Sequence, residues 1–180
     1  ADEPAAKPVF PGPNSHGYLL PNGWRLTPAG KQVTLTDLPL NVTTSTDGKF
    51  AFVATSGYNA HELTAVELAT GRIITKQTVP QSWFGLAQEP KSGRFWWSGG
   101  GDSLVHVFAW NGSTFAQRPT EPMPPMGQPG EEGAGVPPGF RTGLCWDSKS
   151  GTLYSLTILA KGGNKSFAWG DATIDRTTGG

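Results

Sequence analysis

Cysteine is almost absent: the 180 residues contain one, Cys145. A single thiol cannot form an internal disulfide, and it excludes cysteine-rich zinc sites, iron–sulfur clusters and covalent haem attachment. No run of about 18 apolar residues occurs, so no helical membrane span is expected. Charge is sparse and balanced, with 14 Lys plus Arg against 14 Asp plus Glu. Its scatter leaves no basic footprint for nucleic acid or an anionic membrane surface. Runs of helix formers with a 3.6-residue period are missing as well.

Motifs for chemistry are equally scarce. There is no Gly-x-Ser-x-Gly elbow for a nucleophilic serine. The Gly-rich stretch at 99–103, GGGDS, lacks the Lys-Ser/Thr ending and the following helix of a phosphate-binding loop, so it reads as a loop between two strands. The histidines are His16 in the N-terminal tail, His61 in a loop after a strand, and His106 on a strand. They show no HxxxH or HxH spacing, and no metal, cofactor or catalytic residue is expected. The sequons at Asn41, Asn111 and Asn164 read as ordinary turn and strand residues.

What the chain does have is 25 glycines, 16 prolines and an internal repeat. The segments 40–80, 84–119 and 142–180 align as strand, tight turn, second strand, Gly-rich loop and third strand. The first two continue through a turn to a fourth strand. The first turn is Asp47-Gly48, Ser92-Gly93 or Ser150-Gly151, pairs that supply the positive φ of a hairpin turn. Residues 120–139, TEPMPPMGQPGEEGAGVPPG, have no periodicity and read as a loop insert. A period of about 40–45 residues with four strands is the signature of an all-β fold of β-propeller blades.

The side chains agree with that reading. The second strands, KFAFVAT, RFWWSGG and TLYSLTI, are apolar at successive positions, as a sheet packed on both faces requires. Small residues in the first strands, Gly85, Ala87, Gly143 and Cys145, suit the crowded centre of a radial array. Trp96, Trp97, Trp110 and Trp146 fall on strands and should pack between blades, whereas Trp83 falls in a loop. Residues 1–22 read as a Pro-rich tail and 23–180 as a partial propeller. Within it, 23–39 resembles the outer hairpin of a blade, because Gly30 precedes Pro39 by the same nine residues that separate Gly71 from Pro80. Three blades and an outer hairpin do not close a ring of the usual 4–8. The expectation is the N-terminal part of a longer protein, or an arc completed by another chain.

The stretches LPNGWRLTPAGKQVTL, STDGKFAFVATSGYNAHELTAVELATGRII and SWFGLAQEPKSGRFWWSGGGDSLVHVFAWNG resemble the YncE-like, YVTN-type β-propellers of exported bacterial proteins. In particular they are similar to the propeller that precedes an alkaline-phosphatase-type phosphoesterase domain. The resemblance implies an incomplete ring of a seven-bladed type and export to the periplasm or outside the cell. The hydrolase chemistry of such proteins belongs to a downstream domain, so no catalytic residue carries over. The Ala1 start and the small, Pro-rich segment after it match what remains once a signal peptide is removed.

In a propeller, the loops between blades and those between second and third strands share one rim. That rim would collect Tyr58, Asn59, His61, Trp83, Asp102 and the 120–139 insert, with Met123, Met126, Glu131 and Glu132. The expected function is a non-catalytic scaffold or binding module that contacts a protein partner, or the rest of its own chain. It would serve as a structural subunit of an extracytoplasmic assembly, including one associated with a membrane complex. The alternative is the accessory propeller of a metal-dependent phosphoesterase.

Overall fold

A computed structural model describes residues 9–15, 17–27, 29–119, 140–160 and 169–178. The described residues form fourteen strands and no helix. The chain divides into two compact units, 1–32 and 33–180.

The first unit holds β1 (Gly12–Asn14), β2 (Gly17–Leu19) and β3 (Arg25–Leu26), paired in that order. Among the described residues, 23–38 holds one strand, β3, and not the outer hairpin expected across 23–39. Arg25 and Leu26 pair with Leu19 and Tyr18 instead, across a tight turn in which Leu20 N–H donates to Trp24 O and Gly23 N–H to Leu20 O. Gly30 nevertheless keeps a φ of +79°, close to the +76° of Gly71.

The second unit carries the repeat. β4 (Pro39–Thr44), β5 (Phe50–Thr55), β6 (His61–Glu67) and β7 (Arg72–Val79) form one antiparallel sheet in chain order. β8 (Leu86–Glu89), β9 (Arg94–Ser98), β10 (Val105–Trp110) and β11 (Phe115–Arg118) form the next. β12 (Phe140–Asp147), β13 (Thr152–Ala160) and β14 (Trp169–Thr178) form a three-stranded third. Each sheet is a meander of adjacent hairpins, and the ring is not closed.

The hairpins are closed by local chemistry. Gly48, Gly93 and Gly151 take φ of +68°, +68° and +65°, which only glycine adopts without strain. Three of the turns share a sequence pattern, acid-x-x-Ser/Thr-Gly. In Glu67–Gly71, Glu89–Gly93 and Asp147–Gly151, the glycine N–H donates to the acid's carbonyl oxygen and the hydroxyl donates to its carboxylate.

Two cores hold the three sheets together, and they use opposite faces of β9. Phe95 and Trp97, both fully buried, join Phe52, Ala54, Leu63 and Ala65 of the first sheet. Phe52 meets Phe95, Trp110 and Phe115 at centroid distances of 4.6, 5.2 and 5.8 Å, in the edge-to-face range that aromatic quadrupoles favour. Trp96, between them in sequence, points the other way and packs with Leu144, Trp146 and Leu153 of the third sheet. Its ring stacks on Trp146 at 4.7 Å. The middle sheet is thus sandwiched by its neighbours, as a blade is.

The first strands β4, β8 and β12 are neighbours. Asn41 Nδ2 donates to Phe84 O at 2.9 Å, and Ser98 Oγ donates to Thr142 O at 2.8 Å. Gly85 sits where β8 meets β12: a Cβ there would collide with the Thr142 carbonyl oxygen and lie 2.9 Å from Leu144 N. Gly143 is different, with nothing nearer than Leu156 Cβ at 3.8 Å, and Cys145 is exposed. Both belong to the third sheet, and Cys145 alternates with Leu144 and Trp146, which face the second sheet.

On the first sheet's outer face, Glu62 is buried beneath Lys76 and Thr36. Lys76 Nζ donates to Glu62 Oε2 at 2.8 Å and to Thr36 Oγ1 at 2.7 Å, and Thr36 Oγ1 donates to the same carboxylate. Burial by itself would raise the Glu62 carboxyl, but the bonds from Lys76 and Thr36 and the Lys76 charge outweigh it and hold it below the ordinary glutamate value. Such a group protonates more readily in the unfolded chain, so its stabilisation is complete above the unfolded value and is lost as pH falls through the folded one. Glu62→Gln is therefore expected to be less stable than the native chain above about pH 5, with the gap closing below about pH 4. Thermal unfolding of both chains across that range measures it.

Candidate partner-binding rim

The meander places the β5–β6 loop (56–60), the β7–β8 connector (80–85) and the β9–β10 loop (99–104) at one end of the sheets. The connector is fixed from both sides. From the first sheet, His61 Nδ1 accepts the Ser82 N–H at 2.8 Å, and Ser56 Oγ donates to Ser82 O at 2.9 Å. From the second, His106 Nε2 lies 2.9 Å from Gln81 O and 3.1 Å from Asp102 Oδ2. Both are acceptors, so this nitrogen carries a proton. Trp97 Nε1 donates to Trp83 O at 3.0 Å.

His61 is the first residue of β6, not a loop residue. It is half-buried, and its ring anchors the connector. Ser82 Oγ lies 2.8 Å from His61 Nδ1, but Ser82 is only 4% exposed and its hydroxyl also reaches Thr55 O at 3.3 Å. This Ser–His contact holds backbone in place.

So held, the connector presents Trp83 outward. Its indole meets Phe140 edge-on at 5.3 Å, and the two are 42% and 38% exposed. The Gly100 backbone lies against both: a Cβ there would come within 3.1 Å of Phe140 Cζ and 3.2 Å of Trp83 Cβ. Phe84 and Leu104 are also exposed at this end. Tyr58, on the β5–β6 loop, is 98% exposed. Its neighbour Asn59 donates its N–H to Asp37 Oδ2, while Asp37 Oδ1 accepts the Leu38 N–H at 2.7 Å. The bonds from Asn59 and Leu38 hold the Asp37 carboxyl below its ordinary value.

Of the expected rim residues, Tyr58, Asn59, His61, Trp83 and Asp102 all lie on or beside these loops. Met123, Met126, Glu131 and Glu132 lie outside the described residues. Sequence reading missed Phe140, which sits at the start of β12. It also missed Arg141, which is 4% exposed and bridges to the β9–β10 loop. Arg141 N–H donates to Gly100 O at 2.9 Å, its Nε to Ser103 O at 3.3 Å, and its other guanidinium nitrogen NH1 to Ser155 Oγ at 2.7 Å. Only the Phe-Arg dipeptide following the 120–139 insert could have signalled these two. Among the described residues, no three His, Cys, Asp or Glu side chains converge as a metal site would require. No helix there is long and apolar enough to cross a membrane.

No family model and no curated protein matches the chain. Solved structures similar to it include the following two. Hydrazine synthase from Kuenenia stuttgartiensis aligns with 72% of this chain and 32% of its own, at a TM-score of 0.51 and 16% identity. A mitotic checkpoint complex chain aligns with 63% of this chain and 31% of its own, at 0.49 and 10%. Both proteins contain β-propellers. The chain spans about a third of the length of each, and at such identity the first likeness speaks to fold alone. With the four-stranded meanders and the core on both faces of β9, that likeness makes the second unit an array of β-propeller blades.

Proposed function

We propose that this chain is a non-catalytic β-propeller binding module whose rim, centred on Trp83 and Phe140, takes up a protein partner. The observation that carries the reading is the aromatic pair itself. Two large rings stay solvent-exposed, Trp83 on a connector fixed by hydrogen bonds from both neighbouring sheets and Phe140 at the start of β12, so little order has to be gained when they are covered. Rigid aromatic anchors of this kind dominate binding energy at protein interfaces. The resemblance to exported bacterial propellers supports export and a place as a subunit of an extracytoplasmic assembly, including one held at a membrane complex. The outer faces of the first and third sheets, where Val42 and Leu156 are 60% and 38% exposed, suit cover by the remainder of the chain or by another subunit.

Variants test the reading in the source cells. Tyr58→Ala and Trp83→Ala remove exposed rings, and Leu68→Ala removes an exposed apolar side chain at the opposite end of the blades. A partner should co-purify with the native chain and with Leu68→Ala, and fall at least about tenfold with Trp83→Ala, the loss typical of a central aromatic. Retention of the partner by Trp83→Ala alongside its loss from Leu68→Ala would place the binding surface at the wrong end.

A further inference from the structure

The rim aromatics are accompanied by charge of one sign. The loops at 37–38, 56–60, 80–85 and 99–104 contain Asp37 and Asp102 and no lysine or arginine. Cations on the strands that adjoin these loops are otherwise placed. Lys76 is paired with Glu62, Arg141 is buried with its guanidinium on Ser103 and Ser155, and Arg118 lies on the outermost strand opposite Val107.

The juxtaposition occurs twice. In the first blade, the carboxylate of Asp37 binds the backbone beside Tyr58, whose ring is 98% exposed. In the second, Asp102 lies in the same loop as Gly100, whose backbone lies against the Trp83–Phe140 pair. Asp102 Oδ1 accepts the Leu104 N–H at 2.8 Å, which leaves its carboxylate one-fifth exposed at the surface. Backbone donors fix both carboxylates in place, with His106 Nε2 also 3.1 Å from Asp102 Oδ2, and those on Asp37 keep it ionised to lower pH than an ordinary aspartate. An aromatic face beside a carboxylate attracts a guanidinium or ammonium group through the ring quadrupole and through Coulomb attraction together.

We infer that the rim docks an extended polypeptide segment carrying arginine or lysine side chains, one at Tyr58 and Asp37 and another at Trp83, Phe140 and Asp102. This rests on the reading of the rim as a protein-binding surface and adds the chemistry of the partner. Two cation sites on adjacent blades favour a segment with at least two basic residues, because the second contact then forms at high effective concentration.

The test uses two fluorescein-labelled decapeptides, one alternating Arg with Gly and the other Glu with Gly, titrated into the full chain. The Arg peptide is expected to bind, and to weaken as salt rises toward about 0.5 M. Tyr58→Ala and Trp83→Ala should each weaken it about tenfold. Leu104→Lys leaves both aromatic sites intact but adds a like charge to the rim, and it should weaken the Arg peptide as well, while Leu68→Ala should not. Equal or tighter binding of the Glu peptide through the same aromatics would overturn the basic partner and leave the rim standing. So would a failure of both peptides while Trp83→Ala still loses the co-purified partner. Binding of the Arg peptide unchanged by Tyr58→Ala, Trp83→Ala and Leu104→Lys would overturn the assignment of the site.

Discussion

Gly85→Val is expected to lower the stability of the blade array by about 3 kcal/mol or more, at the upper end of what overpacking costs. The side chain would enter the space between β8 and β12, where Thr142 O, Leu144 N and Ser98 Oγ already sit at contact. Two of those are backbone atoms of a paired strand, so relief requires the strands to move apart. Separation would also break the Ser98–Thr142 hydrogen bond and thin the core around Trp96. Gly143→Ala serves as the control, since its Cβ meets only Leu156 at an ordinary 3.8 Å and should cost far less. Denaturant titration of the two variants measures the contrast.

Trp96→Ala should cost about 3–5 kcal/mol, the usual range for removing a large buried aromatic. The location of the damage is as informative as its size. Trp96 faces Leu144, Trp146 and Leu153, whereas its neighbours Phe95 and Trp97 face the first sheet. Amide exchange should therefore quicken in β12 and β13 while β5 and β6 stay protected. Phe52→Ala should do the reverse, because Phe52 contacts the second blade through Phe95 and Phe115. Uniform loosening in both variants would mean that the sheets share one core and are not stacked blades.

The blades were legible because the physics that forms them is local and repeated. Gly48, Gly93 and Gly151 mark the turns, and the run of apolar residues at 95–97 marks a strand covered on both faces. The acid-x-x-Ser/Thr-Gly pattern of three turns went unread, because its meaning lies in the hydroxyl-to-carboxylate bond, which spacing alone does not reveal. The 23–39 hairpin misled because its Gly–Pro spacing copies 71–80, while Arg25 and Leu26 pair with Leu19 and Tyr18. Gly143 misled for a related reason: a small residue in a first strand predicts crowding only where a neighbouring strand is present, as for Gly85.

That the rim loops share one end was legible, because loop order in a meander dictates it. The fine structure of the rim was not. Nothing in the spacing of His61 and His106 shows that they grip one connector from opposite sheets, since that depends on Ser82 and Gln81 meeting them across blades. Phe140 and Arg141 follow the 120–139 insert, and only the folded chain brings them against Gly100 and Ser103.

The central claim is that this rim is where a partner binds, and site-specific photo-crosslinking in the source cells tests it most directly. A photoreactive residue would replace Tyr58 or Phe84 at the rim, and Lys91 or Lys149 in the turns at the opposite end. The account predicts a discrete crosslinked protein adduct from the rim positions and none from the turn positions. An adduct from Lys91 or Lys149, with none from Tyr58 or Phe84, would contradict it.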